Sequence, residues 1–175
     1  VSMLCFVHVP KTAGKSVGVF FRRSAPFRRA IGPMTEERFR STADARLARQ
    51  LIVSAHLAHS DLERIQRIAA PPVVTTALLR DPSQRFVSHF FYIKGFWRHA
   101  WHWRCRDLTL EQALQDREIT AELDNYQIRY LARALLPEGL TEPDPVAKVL
   151  AALDTVGDVS CLAASALLLL YRAGI

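Results

Sequence analysis

The sequence predicts an α/β fold, a parallel β-sheet flanked by helices with a helical C-terminal half. Three short apolar runs, Met3 to Val9, Leu51 to Ala55 and Val73 to Leu79, alternate with amphipathic segments. Such alternation builds right-handed βαβ units and therefore a parallel sheet. The runs are nearly continuous in apolar residues, as strands covered on both faces require. Beyond Leu108 the pattern turns wholly helical.

Met3 to Val9 (MLCFVHV) ends at Pro10 and a Thr-Ala-Gly turn, after which Ser16 to Arg23 can form a helix. Leu51 to Ala55 (LIVSA) is the second run, followed by Asp61 to Ala69, with Leu62, Ile65 and Ile68 on one helical face. Val73 to Leu79 (VVTTALL) is rich in β-branched residues, and Asp81-Pro82 then supplies an N-cap with proline at the first helical position. A helix should run from Pro82 into the aromatic segment. Further helices are predicted over Thr109 to Gln115, Asp124 to Leu135, Pro145 to Asp154 and Leu162 to Arg172. The linker-like stretch Pro137 to Pro145 is too short to divide two domains, so 1–175 reads as one.

Half of the 175 residues are hydrophobic and 23% are charged, a composition that excludes a disordered tail and a collagen-like repeat. Lys plus Arg number 23 against 17 Asp plus Glu, and the net charge of +6 favours anionic partners. Cys5, Cys105 and Cys161 are odd in number and widely spaced, which argues against a disulfide framework and for a reducing, cytoplasmic setting. The longest apolar stretch, Cys161 to Tyr171, has 11 residues, where a transmembrane helix needs about 20. No transmembrane segment is expected. Val1 to Val9 lacks the basic start of a signal peptide, and a chain beginning at Val rather than Met is expected to be a fragment.

The loop after the first run reads HVPKTAGKS from His8 to Ser16. A Walker A loop is GxxxxGK[ST]; Gly14, Lys15 and Ser16 supply its second half, while Val9 stands where the first glycine would be. A strand, a small-residue turn and a helix N-terminus present free backbone N–H groups and a helix dipole to phosphate or sulfate oxygens. The segment from Lys11 through Thr12, Ala13, Gly14 and Lys15 to Ser16 is therefore a candidate P-loop-like anion cradle. A tight turn with exposed lysines is the plainer alternative.

FVHVPKTAGKS resembles the 5′-phosphosulfate loop of carbohydrate sulfotransferases of the heparan 2-O type and their bacterial relatives. LLRDPSQRFVSHFFY, from Leu78 to Tyr92, resembles their 3′-phosphate motif, with Arg80 ending the third strand and Ser88 eight residues later. LTLEQAL from Leu108 and DNYQIRYLA from Asp124 resemble the following segments in the same order, so the likeness covers Met3 to Ala132. It implies 3′-phosphoadenosine 5′-phosphosulfate as sulfuryl donor, no metal requirement, and a hydroxyl acceptor on a carbohydrate. No nucleic-acid partner is expected. Lys15 departs from the family pattern, which has a small hydroxylic residue there. After Val156-Gly157 the family's Thr-Glu motif is replaced by DVSCLAASALLLLYRAGI, so the final part of the donor pocket is expected to be missing, altered or supplied differently.

Arg80 at a strand's carboxyl end suits bidentate phosphate binding, with an ion pair to a carboxylate as the alternative. Ser88 would look back toward it from two helical turns on. Lys11 is the candidate for stabilising charge on the bridging oxygen as sulfate leaves, with Lys15 the competing cation. His56 ends the second run, where an in-line acceptor must arrive, and its position resembles a Gly-His element of the family with Ala55 replacing the glycine. It is the candidate general base; His59 and Asp61 compete. Phe86 to Arg106 carries all three tryptophans with Arg and His interleaved, which nominates Trp97 for the acceptor surface. Asn125 and Gln127 are acceptor candidates by resemblance. Arg85 reads as structural. His99, His102 and Cys105 have a spacing that could ligate zinc, without an evident fourth ligand. Arg22, Arg23, Arg28 and Arg29 form the densest basic cluster and read as a solvated surface.

Two rival functions belong to other classes. In a P-loop kinase or ATPase, Lys15 would contact the terminal phosphates, Ser16 would hold Mg²⁺ and Asp81 would act as the second metal ligand. A non-catalytic binder of polyanions would use the arginine clusters without turnover.

Overall fold

The structure, a computed structural model, describes residues 1–24, 29–141 and 144–175. Five parallel strands form one sheet in the order β2-β3-β1-β4-β5. They are β1 (Met3–Val7), β2 (Ala30–Met34), β3 (Ile52–Ala55), β4 (Val73–Leu79) and β5 (Thr155–Asp158). Helices α1 (Gly14–Ser24), α2 (Glu36–Arg40), α3 (Asp44–Ala48), α4 (His59–Ile68) and α5 (Pro82–Gly95) fill the crossovers of the first half. The C-terminal half carries α6 (His102–Cys105), α7 (Leu110–Gln115), α8 (Arg117–Leu123), α9 (Tyr126–Leu135), α10 (Pro145–Ala151) and α11 (Leu162–Ala173).

The period of two along each strand sorts the core into two layers. Met3, Cys5 and Val7 of β1, Val53 and Ala55 of β3 and Ala77 of β4 pack under Phe39, Leu47, Leu62, Ile65, Leu131 and Leu135 from α2, α3, α4 and α9. Leu4, Phe6, Ile52 and Leu78 face the other way, under Val17 and Phe21 of α1 and Leu169 and Leu170 of α11. Both faces are thus removed from water, which explains the continuous apolar runs; each large side chain so buried contributes about 1.5–3 kcal/mol. Phe90, Ile93, Cys105, Ala113, Ile119 and Leu123 close a third cluster among α5 to α8.

Asp81 caps α5 as the sequence predicts, accepting from Gln84 N at 2.9 Å with Pro82 at the first helical position. Thr109 and Gln112 form a reciprocal capping box that starts α7. The segment after Leu108 is mostly helical but not wholly so, because Thr155–Asp158 forms β5 beside β4. Asp154 seats this strand, donating from its N to Thr75 O at 2.9 Å and accepting from Thr75 N at 2.7 Å. Ser165 Oγ of α11 donates to Asp158 O and accepts from Asp158 N, both at 2.9 Å. A Cβ on Gly157 would lie 2.4 Å from Leu78 Cδ2, so only glycine lets β5 approach its neighbour so closely.

A second unpredicted strand is β2, whose Gly32 and Pro33 hid it. Among the described residues it pairs only with β3, and proline is tolerated on such an edge. Helix boundaries move by a few residues: α1 starts at Gly14, α4 at His59, and the helix expected from Asp124 starts at Tyr126, after Asn125 with φ 46°, while α8 before it was not predicted. Arg28 of the basic cluster and Glu142 and Pro143 of the linker lie outside the described residues. Among the described residues no helix is long and apolar enough to cross a membrane.

Candidate functional site

In an open parallel sheet the carboxyl ends of the strands converge on one edge, where ligands bind. Register makes this edge specific. Val7 pairs with Ala55 and with Ala77, and Leu79 pairs with Asp158. His8, His56, Arg80 and Val159 therefore leave adjacent strands at one end. They line a cleft of about 530 Å³ together with Pro10, Lys11, Ala13, Gly14, Lys15, Ser88, His89, Tyr92, His99 and Tyr126. Three of its lining residues carry ammonium or guanidinium groups, Lys11, Lys15 and Arg80, and among the described residues no carboxylate lines it.

The cradle between β1 and α1 is bent by two non-glycine residues in the left-handed region, Lys11 at φ 72° and Ala13 at φ 58°. Backbone of that alternating kind turns successive N–H groups inward and makes an anion-binding concavity. Thr12 is buried and its Oγ1 donates to Val9 O at 2.8 Å, which closes the turn. Its side chain therefore shapes the loop and does not line the cleft. Gly14 is required by a close approach: a Cβ there would lie 1.9 Å from His8 Nε2.

Lys11 is partly buried, and its ammonium sits 4.5 Å from the centre of the Tyr92 ring. Burial, then Lys15 and Arg80, push its pKa below the ordinary lysine value. Lys15 is exposed at the cleft mouth. Ser16 is exposed and does not line the cleft.

Arg80 is positioned through its main chain. Gln127 Oε1 accepts from Arg80 N at 2.9 Å and Gln127 Nε2 donates to Arg80 O at 2.7 Å, so the amide on α9 pairs with the end of β4 as a neighbouring strand would. The buried Arg80 Nε has no protein partner among the described residues. Arg80 and Ser88 also border a second hollow of about 400 Å³ with Ser83, Gln84 and Val87, adjoining the first.

The His56 ring stacks on His8 with centroids 4.5 Å apart, and its Nδ1 lies 2.8 Å from the Tyr130 hydroxyl. Burial lowers the His56 pKa, partly offset by a hydrogen bond to the main chain of His8 and by Glu36. His8 is pushed down to about 3 by burial, then by His56 and Lys15. Asp61 is buried, accepting from Ala58 N at 2.9 Å and from Arg40 Nε at 3.2 Å, so it stays with α4. His59 pairs with Glu63 on the same helix at 3.5 Å.

Of the residues nominated from sequence, Lys11, Ala13, Gly14, Lys15, His56, Arg80 and Ser88 come together. Trp97, Asn125 and Gln127 do not line the cleft. Trp97 is exposed beneath Arg98, whose guanidinium carbon lies 4.8 Å from the ring centre. Asn125 Nδ2 donates to Asp124 Oδ2 at 2.9 Å. His99 Nδ1 accepts from Trp101 N, His102 Nδ1 lies 3.2 Å from Ile93 O, and Cys105 is in the third core cluster, so the three serve separate contacts.

Arg85 is structural as expected: it is buried, donates to Leu123 O at 2.9 Å, and stacks 4.4 Å from the centre of the Tyr126 ring. Sequence reasoning missed His8, His89, Tyr92, Tyr126 and Tyr130. The i,i+4 pair Tyr126 and Tyr130 was the available signal, since that spacing puts both rings on one helical face. Models of known protein families, curated proteins and solved structures give no match to the chain.

Proposed function

We propose that the chain is a sulfotransferase that moves a sulfuryl group from 3′-phosphoadenosine 5′-phosphosulfate to a hydroxyl, with a carbohydrate as the acceptor class. The observation that carries the reading is the cleft itself: three cations and a backbone cradle at the sheet's carboxyl edge, with no lining carboxylate among the described residues. A dianionic phosphosulfate fits that charge balance. The unpartnered Arg80 Nε and the adjoining hollow beside Ser88 suit a second phosphate at the far end of the donor.

In this reading the donor supplies an activated sulfuryl group. The acceptor oxygen bonds to sulfur while the bond from sulfur to the bridging oxygen breaks; adenosine 3′,5′-bisphosphate leaves and the acceptor proton passes to His56. Lys11 stabilises the charge that grows on the bridging oxygen. For His56 to accept a proton, its Nδ1–H must donate to the Tyr130 oxygen, which leaves the Nε2 lone pair for the acceptor. Burial of the imidazole favours the neutral form this needs.

The kinase reading has less support. Asp81, its second metal ligand, is spent on capping α5, and Ser16 does not line the cleft. Calorimetry with adenosine 3′,5′-bisphosphate and with ATP, each with and without Mg²⁺, separates the classes. Metal-independent binding of the bisphosphate is expected. Binding of Mg-ATP alone would establish the kinase, and salt-sensitive polyanion affinity alone would establish a binder.

A further inference from the structure

The cleft holds a second histidine, whose chemistry is opposite to that of His56. His89 lies on α5, is 4% exposed, and lines the cleft beside Lys11. Its Nδ1 is 3.1 Å from Arg85 Nη1, four residues earlier on the same helix. A guanidinium can only donate, so Nδ1 must be the unprotonated, accepting nitrogen. The single ring proton then resides on Nε2, which has no protein partner among the described residues. Arg85 cannot turn away, because it is buried, donates also to Leu123 O and is stacked on Tyr126.

The groups around His89 reinforce one protonation state. Tyr126 meets it edge-on at 5.1 Å, His99 edge-on at 6.1 Å, and Tyr92 at 6.3 Å. Burial, then Arg85, His99 and Lys11, push its pKa down to about 3, so no cationic form competes near neutrality. Unlike His56, whose hydroxyl partner permits either tautomer, His89 is restricted to one.

We propose that His89 is a fixed, neutral hydrogen-bond donor, through Nε2–H, to an oxygen of the tetrahedral oxyanion held beside Lys11. The proposal rests on the sulfuryl-transfer reading for its substrate. Within that reading the oxygen belongs to the sulfuryl group or the adjacent phosphate. A neutral donor there supports developing negative charge without adding a fourth cation to a site where Lys11, Lys15 and Arg80 already repel one another.

Imidazole ¹⁵N NMR on the intact, histidine-labelled protein tests it without a variant. At neutral pH His89 should be the Nε2–H tautomer, and its Nε2–H proton should move downfield when 3′-phosphoadenosine 5′-phosphosulfate is added. A shift with the phosphosulfate but not with adenosine 3′,5′-bisphosphate assigns the sulfuryl oxygen; a shift with both assigns phosphate. An Nδ1–H tautomer, or no shift at saturating donor, overturns the proposal. If the bisphosphate fails to bind at all, the transfer reading falls separately, and titration with inorganic sulfate decides the donor role: a shift keeps it and an unmoved signal removes it. Where His89→Phe folds, turnover should drop about 10²–10³-fold, the usual cost of one oxyanion donor, with bisphosphate binding retained where the oxygen is the sulfuryl's and weakened where it is the phosphate's.

Discussion

Mild acid should destabilise this protein through its buried histidines, His8 and His89 foremost. His8 and His89 are both displaced from 6.5 to about 3, each chiefly by burial, with His56 and Lys15 assisting at His8 and Arg85 at His89. In the unfolded chain both bind protons near their ordinary pKa, so between those values the unfolded state carries more protons and stability falls as pH falls. The stabilisation is complete above about pH 6.5 and is lost progressively toward about pH 3. Moving from about pH 7 to about pH 5 costs roughly 2 kcal/mol per histidine, or about 4 kcal/mol for the pair, a large fraction of the stability of a domain this size. Carboxylates such as Asp116, held low by Ile119 N and Arg104, enter only further down. Urea unfolding monitored by circular dichroism at the two pH values measures the loss. His8→Phe keeps an aromatic ring against His56 but removes one titration, so about 2 kcal/mol of the pH-dependent loss should vanish. Equal stability at the two pH values, or an undiminished loss in His8→Phe, would refute the reasoning.

Arg80→Ala should weaken adenosine 3′,5′-bisphosphate by about 1.5–3 kcal/mol, the range for hydrogen bonds to charged groups, and calorimetry showing unchanged affinity in the folded variant rejects Arg80 as the 3′-phosphate ligand. Gln127→Leu removes both hydrogen bonds to the Arg80 main chain; a stability loss of about 1–3 kcal/mol in urea titration, together with weaker bisphosphate binding, is expected. Lys11→Ala should lower kcat more than donor affinity while Lys15→Ala does the reverse, and steady-state kinetics giving the opposite pattern exchange their roles. His56→Ala should lose about 10²–10⁴-fold in kcat yet still bind the bisphosphate, and turnover within a few-fold of the parent moves the base elsewhere. Gly14→Ala forces the new Cβ against His8 Nε2, so a destabilisation of about 1–3 kcal/mol in urea unfolding is expected, and an unchanged midpoint denies the contact.

Most of the sheet was readable locally. Strands β1, β3 and β4 are central and covered on both faces, so their apolar content is continuous and announces itself in the sequence. The cap at Asp81-Pro82 and the placement of Lys11, His56 and Arg80 at strand ends were legible for the same reason: each depends on residues a few positions apart. The net charge of +6 was the ground for expecting an anionic ligand, which stands as part of the proposed function. Strands β2 and β5 were not legible, because Gly32 and Pro33 interrupt the apolar run of the one, and Thr155, Gly157 and Asp158 leave the other with a single apolar side chain. They exist through pairing with a neighbour far away in the chain, with Asp154 and Ser165 supplying bonds for β5 that no local pattern encodes. The working details of the cleft have the same origin. Gln127 is read as an acceptor residue from sequence, yet it grips Arg80 across 47 positions, and Tyr130 reaches His56 across 74. His89 looks like one more aromatic on a helix until Arg85 beneath it determines which nitrogen keeps the proton. Periodicity and capping act within a turn or two and can be read along the chain, whereas partners, tautomers and pKa shifts depend on burial and on which distant donor arrives, and those are decided only when the layers pack.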